Sequence, residues 1–406
     1  MFTVPSRAAS VAIIPLLLSN GMLTAQKPPA RIVAPVQGWT STPTLEPYDS
    51  ALASRLSVPQ GFHVTVFADH LGSPRMMAVR SDGTVFVTRP DSNDVLALHE
   101  ERDGRPATVR KVVTNLRHVH GIALHAGRIY LATVKEVYAG DLRTDGSVAD
   151  LRAIITDLPD GGQHPNRTVA VGPDLMLYIT VGSDCNQCIE SDEEHATILR
   201  ARLDGTERGV FARGLRNTLG IDWNPETHEL WGMDNGADGK GDAVPPEELN
   251  LLQASADYGW PFCYANQKPD VTFSSEPPGS TREEHCARTV APKLTYQAHS
   301  APIGFVFYRS KQFPGDYRND AFVTLRGSWN RHMPTGYKVV RIHFENGRPT
   351  QFEDFLTGFL TDGGQRYSAR PAGIAVAADG SLLVSDDTNG VIYRIGYGMP
   401  GAPSAR

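Results

Sequence analysis

His164 stands at the head of the stretch QHPNRTVAVGPDLMLYITVGSDCNQC, residues 163–188. Imidazole takes and releases a proton near neutral pH, so a histidine at a strand end is a candidate general base. Taken alone, such a residue is more often a surface or hydrogen-bonded structural histidine. Other polar residues recur at comparable places: His118 and His120, Arg216 with Asn217, Asp234-Asn235-Gly236, Arg326, Arg331 and Arg370. An arginine fork pairs with a carboxylate through two hydrogen bonds. One base, several arginines and an asparagine around a common mouth would suit an anionic, planar, multi-carboxylate ligand. Any single surface arginine is usually solvated, so the recurrence carries the signal.

The elements that must position these residues are β-hairpins. Alternating strands flank a tight polar turn in MMAVRSDGTVFVT (76–88), GIALHAGRIYLAT (121–133), RTVAVGPDLMLYITVG (167–182), LGIDWNPETHELWGMDNG (219–236) and AGIAVAADGSLLVSDD (372–387). A looser sixth is FYRSKQFPGDYRNDAFVTLRGS (307–328). Further strand pairs such as GVFARG and KVVRIHF suggest four strands per unit. A recurrence of roughly 40–50 residues is the interval of one propeller blade. The expected fold is therefore all-β, a six-bladed β-propeller with four-stranded antiparallel blades. Two wider intervals, 237–300 and 328–372, are expected to hold inserts, and only Glu247 to Leu252 looks helical. Two β-sandwiches would not predict a hairpin repeating at this period.

Composition narrows the class. The 406 residues are 40% hydrophobic and 21% charged, those of a soluble globular chain. A formal net charge of −6 gives no electrostatic case for nucleic acid. Arg7, the apolar run Val11 to Leu18 and Leu23-Thr24-Ala25 have the order of a secretory leader over residues 1–25. Pro15 and the short apolar run argue against a retained membrane span. The expected mature protein is periplasmic or secreted, with an extended segment over 26–50, the propeller over 51–397 and a tail over 398–406. In an oxidising compartment four cysteines suggest two disulfides, and proximity in sequence pairs Cys185 with Cys188 and Cys263 with Cys286. One CxxC without a second is weak support for zinc.

The stretches QHPNRTVAVGPDLMLYITVG, ARGLRNTLGIDWNPETHELWGMDNGAD, EELNLLQASADYGWPFCY and ARPAGIAVAADGSLLVSDDTNGVIYRI together resemble the soluble pyrroloquinoline quinone-dependent sugar dehydrogenases. VGSDCNQC and LRGSWNRHMPTGYKVVRI are similar to the sorbosone dehydrogenase branch. The resemblance runs from about Pro59 to Ile395. It implies that His164 is the general base, taking the substrate's hydroxyl proton while hydride passes to the quinone. It implies that Arg216 stabilises the reduced cofactor and that Asn217 binds it. Calcium would rest on main-chain carbonyls at Gly236-Ala237, where the family has Gly-Pro. The family's fifth-blade lysine would be replaced by Arg331, or else Arg326. Its arginine pair before the last blade reduces to Arg370, with Arg366 as a second only if the gap is adjusted. His118 and His120 stand near the place of a cofactor-contacting glutamine, and Ser183 aligns with an acidic residue, with Asp184 beside it.

The function so implied is oxidation of an aldose or a sorbosone-like sugar aldehyde. Cys188 is followed by Ile189, so no C-x-x-C-H haem motif is present, and electrons would leave to an external quinone, cytochrome or dye. A calcium-dependent lactonase or esterase built on Asp234, Asn235 and Asp238 is a second reading. A non-catalytic propeller that binds protein or glycan is a third, since one fold hosts many functions.

Overall fold

The computed structural model describes residues 40–99 and 108–398. The leader expected over 1–25, the start of the 26–50 segment and tail residues 399–406 lie outside the described residues. Within them the chain is nearly all β, with two short α-helices, Leu52–Arg55 and Arg282–Cys286. No described helix is long and apolar enough to cross a membrane.

Six sheets each carry four antiparallel strands. In chain order their first strands are Met77–Val79, Gly121–His125, Val169–Val171, Thr218–Trp223, Pro302–Phe307 and Pro371–Val376. We number the sheets 1 to 6 accordingly. Sheet 3 gains a short parallel fifth strand, Ala256–Asp257. Sheet 6 is completed by an early segment, Phe62–Ala68, which pairs antiparallel with Val391–Tyr397.

Turn chemistry explains several connections. In Asp82-Gly83, Asp145-Gly146, Asp204-Gly205 and Asp379-Gly380 the aspartate accepts the backbone N–H two residues on, at 2.9–3.0 Å. Each glycine has φ between 78° and 91°, which a side chain would resist.

Packing between sheets depends on a second set of glycines. A Cβ on Gly121 would lie 2.6 Å from the Arg167 carbonyl oxygen, and one on Gly220 2.7 Å from that of Ile303. On Gly304 it would lie 2.8 Å from the Ala372 oxygen, and on Gly373 2.1 Å from the Arg75 oxygen. Backbone therefore meets backbone between sheets 2 and 3, 4 and 5, 5 and 6, and 6 and 1. The first strands of sheets 1 and 2 also touch. All six first strands line one cavity of about 410 Å³, through residues such as Met77, Leu124, Val171, Trp223, Phe307 and Val376. The six first strands are consequently gathered around one space. Between sheets 5 and 6 an aromatic cluster fills the core, with the Phe62 ring 4.7 Å from Phe313 and 5.1 Å from Phe355.

Two expectations need correction. Glu247–Leu252 is a strand of sheet 4, not a helical piece, and all six of its residues are buried. Enclosed on both faces, it shows no alternation to read. The interval 328–372 is largely regular too, since Lys338–Glu345 and Arg348–Leu356 are the outer strands of sheet 5. The interval 237–300 does hold an insert, with helix Arg282–Cys286 tied by Cys263–Cys286. Both expected disulfides are present.

Gly373→Ala tests the inter-sheet contact. Its methyl group would strike the Arg75 carbonyl, so urea unfolding should show a loss of about 1–3 kcal/mol, the usual effect of overpacking. An unchanged midpoint would show that the sheets have room to spare.

Candidate active site

Where first strands begin and second strands end, a cavity of about 230 Å³ opens. His164, Arg216, Asn217, Gly236, Arg326 and Arg370 all line it.

His164 precedes the first strand of sheet 3. Its Nδ1–H donates to the Ser183 carbonyl at 2.7 Å, which leaves Nε2 as the ring's acceptor. The Ser183 hydroxyl lies 2.9 Å from Nδ1 and donates to the Cys185 carbonyl at 2.7 Å. Burial, then the nearby Arg216 guanidinium, pushes the imidazole down to about 3, so it is neutral at pH 7. Gly182 makes room, because a Cβ there would lie 2.7 Å from the His164 Cβ and 2.8 Å from Asn217 Oδ1.

Arg216 is buried and held from several sides. Its Nε donates to the Asn186 carbonyl at 2.8 Å, and its Nη2 to Asn186 Oδ1 at 2.9 Å and Asp238 Oδ2 at 3.0 Å. Asn186 belongs to the short loop closed by Cys185–Cys188. The Asp234 carboxylate collects the backbone N–H groups of Arg216 and Asn217, both at 2.9 Å, and the Thr218 hydroxyl at 2.7 Å. Burial raises the Asp234 carboxyl to about 6 despite those bonds.

Gly236 N–H donates to Glu247 Oε2 at 3.0 Å, and burial raises the Glu247 carboxyl to about 8. Ala237 is buried and faces the adjoining pocket that Glu248 lines, rather than the cavity. Arg370 donates to the Tyr337 hydroxyl at 3.0 Å and lies 5.0 Å from the Tyr367 ring centroid. Arg326 makes a two-bond pair with Asp387, at 2.9 and 3.2 Å, and Arg75 bonds the same carboxylate.

Besides Ala237, three expected positions do not line this cavity. Arg331 is turned to backbone, donating to the carbonyls of Met333 (3.1 Å), Ala298 (3.0 Å) and Asp242. Held by three carbonyls, it braces loops. His120 is fully buried, with Nδ1 3.1 Å from the Arg167 carbonyl, and burial keeps it well below the ordinary histidine value. His118 lines the neighbouring cavity and bonds Asn166 Oδ1 at 3.0 Å.

The cavity also gathers residues not singled out as cofactor or catalytic groups: Arg75, Asn166, Glu247, His299, Trp329 and Asn330. Arg75 precedes a first strand and Asp387 follows a second strand, so the positional rule that found His164 and Arg326 reaches them too. Glu247 was hidden by its strand's unbroken burial.

The lining has unspent hydrogen-bonding capacity. Asn217 Oδ1, Asn330 Oδ1 and Arg370 Nε are buried without a partner. Four guanidinium groups, of Arg75, Arg216, Arg326 and Arg370, line the cavity with the carboxyls of Asp238 and Glu247, and Asp387 pairs with Arg75 and Arg326. A polar ligand in the cavity would complete the three unpaired atoms. The donor set fits a flat, polyanionic molecule. A side-chain metal centre fits less well: Asp234 is taken up by N–H groups, and Asn235 Nδ2 donates to the carbonyls of Asn217 and Pro302. Among the described residues, the group close enough to hold a metal through side chains is Asp184, Cys185, Cys188 and Glu190, whose cysteines are joined to each other.

Comparison with known proteins follows the same direction. The profile of the family described as TrAA12-like matches residues 56–397. An uncharacterized protein of Borreliella burgdorferi is 29% identical over 85% of the chain and 92% of its own length. A pyrroloquinoline quinone-dependent sugar dehydrogenase of Hypocrea jecorina is 25% identical over 82% of the chain and 87% of that protein. A pyrroloquinoline quinone-dependent pyranose dehydrogenase of Coprinopsis cinerea is 25% identical over 84% of the chain, which spans 54% of that protein's length. The solved calcium structure of a Trichoderma reesei family AA12 enzyme superposes with a TM-score of 0.73 at 23% identity, covering 84% of this chain and 97% of that one.

The state of His164 is directly measurable. In an NMR pH titration its ring resonances should stay those of neutral imidazole from pH 8 down to pH 5, because the folded-state value lies near 3. A midpoint near the unperturbed ~6.5 would contradict the burial and charge environment described.

Proposed function

Because the chain belongs to the TrAA12-like family, we propose that it is a pyrroloquinoline quinone-dependent sugar dehydrogenase whose six sheets are the blades of a β-propeller. Its substrate on this reading is an aldose or a sorbosone-like sugar aldehyde. The observation that carries the reading is the placement of His164, Arg216 and the unpaired Asn217 Oδ1 on one cavity. Curated relatives and solved neighbours named as quinone-dependent dehydrogenases support it.

Pyrroloquinoline quinone, when bound with calcium, supplies a two-electron acceptor for hydride. The chain's own residues supply the rest. Asn217, Asn330, Arg326 and Arg370 would hold the quinone's polar and anionic edges. The main-chain carbonyl of Gly236 would offer calcium an oxygen ligand of the kind it prefers, while Ala237 lines the adjoining pocket. His164 Nε2 takes the proton of the hydroxyl on the reacting carbon, anomeric in an aldose and part of the hydrate in a sugar aldehyde, as the C–H bond breaks. Burial and the Arg216 charge keep the base form populated at neutral pH, and the Ser183 carbonyl fixes the ring's tautomer. Arg216, immobilised by Asn186 and Asp238, puts a fixed positive charge where negative charge grows. Trp329, 42% exposed on the cavity wall, offers an apolar face to a sugar ring.

The two disulfides and the sequence of residues 1–25 support an exported protein, periplasmic or secreted, that hands electrons to an external quinone, cytochrome or dye. The lactonase reading is less favoured, because Asp234 and Asn235 are occupied by protein partners.

Purified protein incubated with calcium and pyrroloquinoline quinone should reduce a dye in the presence of an aldose or osone. His164→Ala should retain the quinone yet lose about 10²-fold or more in kcat, the usual effect of removing a general base. Near-normal turnover in that variant would assign the proton to another group. Lactone hydrolysis without quinone, and no dye reduction with any sugar, would overturn the assignment.

A further inference from the structure

The segment that fixes His164 and Arg216 carries a cluster for which the proposed chemistry has no use. Asp184 and Glu190 each bring a carboxylate oxygen within 4.8 Å of the other, beside the loop that Cys185–Cys188 closes. The two sulfurs are joined to each other, so neither can act as a thiolate ligand. A histidine takes their place. His195 Nδ1 lies 3.5 Å from Glu190 Oε2 and 3.8 Å from Asp184 Oδ2. All three side chains are withdrawn from solvent, His195 3% exposed, Asp184 0% and Glu190 11%.

The hydrogen bonding of the ring decides what can stand between these groups. His195 Nε2 is 2.9 Å from the Asp160 carbonyl oxygen, so Nε2 carries the proton and donates it. Nδ1 is buried with no hydrogen-bond partner. In the neutral ring it therefore turns a lone pair toward two carboxylates. Buried charges of one sign are costly unless they are paired or bind a metal, so a cation belongs among the three.

That cation is either a second proton on the imidazole or a metal ion, and the spacing separates the two. A proton shared with a carboxylate would draw nitrogen and oxygen to about 2.7–2.9 Å. Both separations here are longer. Zinc binds histidine nitrogen and carboxylate oxygen at about 2.0–2.2 Å, which puts two ligands of a tetrahedral ion roughly 3.3–3.5 Å apart. The His195 separations lie close to that edge. Imidazole nitrogen with carboxylate oxygen suits zinc, whereas calcium takes oxygen ligands throughout. Glu190, the most exposed of the three, gives an ion a way in.

We infer that Asp184, Glu190 and His195 form a binding site for a divalent transition-metal ion of the zinc type, separate from the place proposed for calcium at Gly236. Three protein ligands leave a fourth position for water. The ion clamps the segment and takes no part in bond breaking. Asp184 follows Ser183, whose carbonyl holds His164, and Asn186, two residues further on, holds Arg216.

The test uses the whole protein with its disulfides intact, stripped of metals by a chelator and dialysed into calcium without reductant. Zinc titrated by calorimetry should bind, and nitrogen-15 NMR should show the His195 Nδ1 resonance moving as it does. Zinc should also raise the Tm by a few degrees, as any ligand of the folded state does. His195→Gln should weaken zinc binding on the order of 10²-fold and abolish the rise in Tm. Glu190→Gln, at the most exposed ligand, should act in the same direction and serves if the first variant fails to fold. A parent that binds no zinc, or a folded variant that binds it as the parent does, would overturn the site. So would a His195 ring that is doubly protonated at pH 7 and unmoved by zinc, since a proton would then fill the cation's place.

Discussion

Backbone-to-backbone contact between neighbouring first strands is the constraint on which the rest of this molecule depends. At Gly121, Gly220, Gly304 and Gly373 the next sheet's main chain occupies the space a side chain would need. Such contacts bring the starts of the strands into one mouth. They also reach the site directly. The carbonyl that crowds Gly121 belongs to Arg167, whose guanidinium donates to the His164 carbonyl at 2.7 Å. The carbonyl that crowds Gly373 belongs to Arg75, on the wall of the mouth cavity and of its neighbour.

Charge is then placed in this mouth at a stated risk. A buried guanidinium is costly unless every side of it is paired. Arg216 meets that demand through Asn186, Asn235 and Asp238, and its backbone is fixed through Asp234. Asn186 can serve because Cys185–Cys188 closes the loop that carries it. The same loop region offers the Ser183 carbonyl to His164. Base and cation are thus oriented by one short stretch, residues 183–188, whose last four residues the disulfide closes. The polar atoms left over, Asn217 Oδ1, Asn330 Oδ1 and Arg370 Nε, are those a polar ligand would complete.

Much of this was legible in the sequence, for identifiable reasons. The hairpins could be read because their strands alternate and their turns are tight and polar, two of them, at Asp82-Gly83 and Asp379-Gly380, with a defined bonding role. His164, Arg216, Asn217, Arg326 and Arg370 were found from position alone, as residues flanking hairpin strands. The same rule applied to every unit would have added Arg75 and Asp387. Glu247–Leu252 was opaque because a strand buried on both faces has no period-two signature. The sequence reading put Arg331 ahead of Arg326, although both follow the same strand. Only the carbonyls around Arg331 show that its guanidinium is spent on loops. The unpaired atoms are products of tertiary packing, and no local pattern announces them.

The central claim is that one mouth cavity, with His164 and Arg216 on its wall, receives a redox quinone. A crystal structure of the protein grown with saturating pyrroloquinoline quinone and calcium tests it most directly. The account predicts quinone density within hydrogen-bonding reach of Asn217 and Arg370, with calcium on the Gly236 carbonyl. Quinone bound elsewhere, or a cavity that stays empty at saturation, would contradict it.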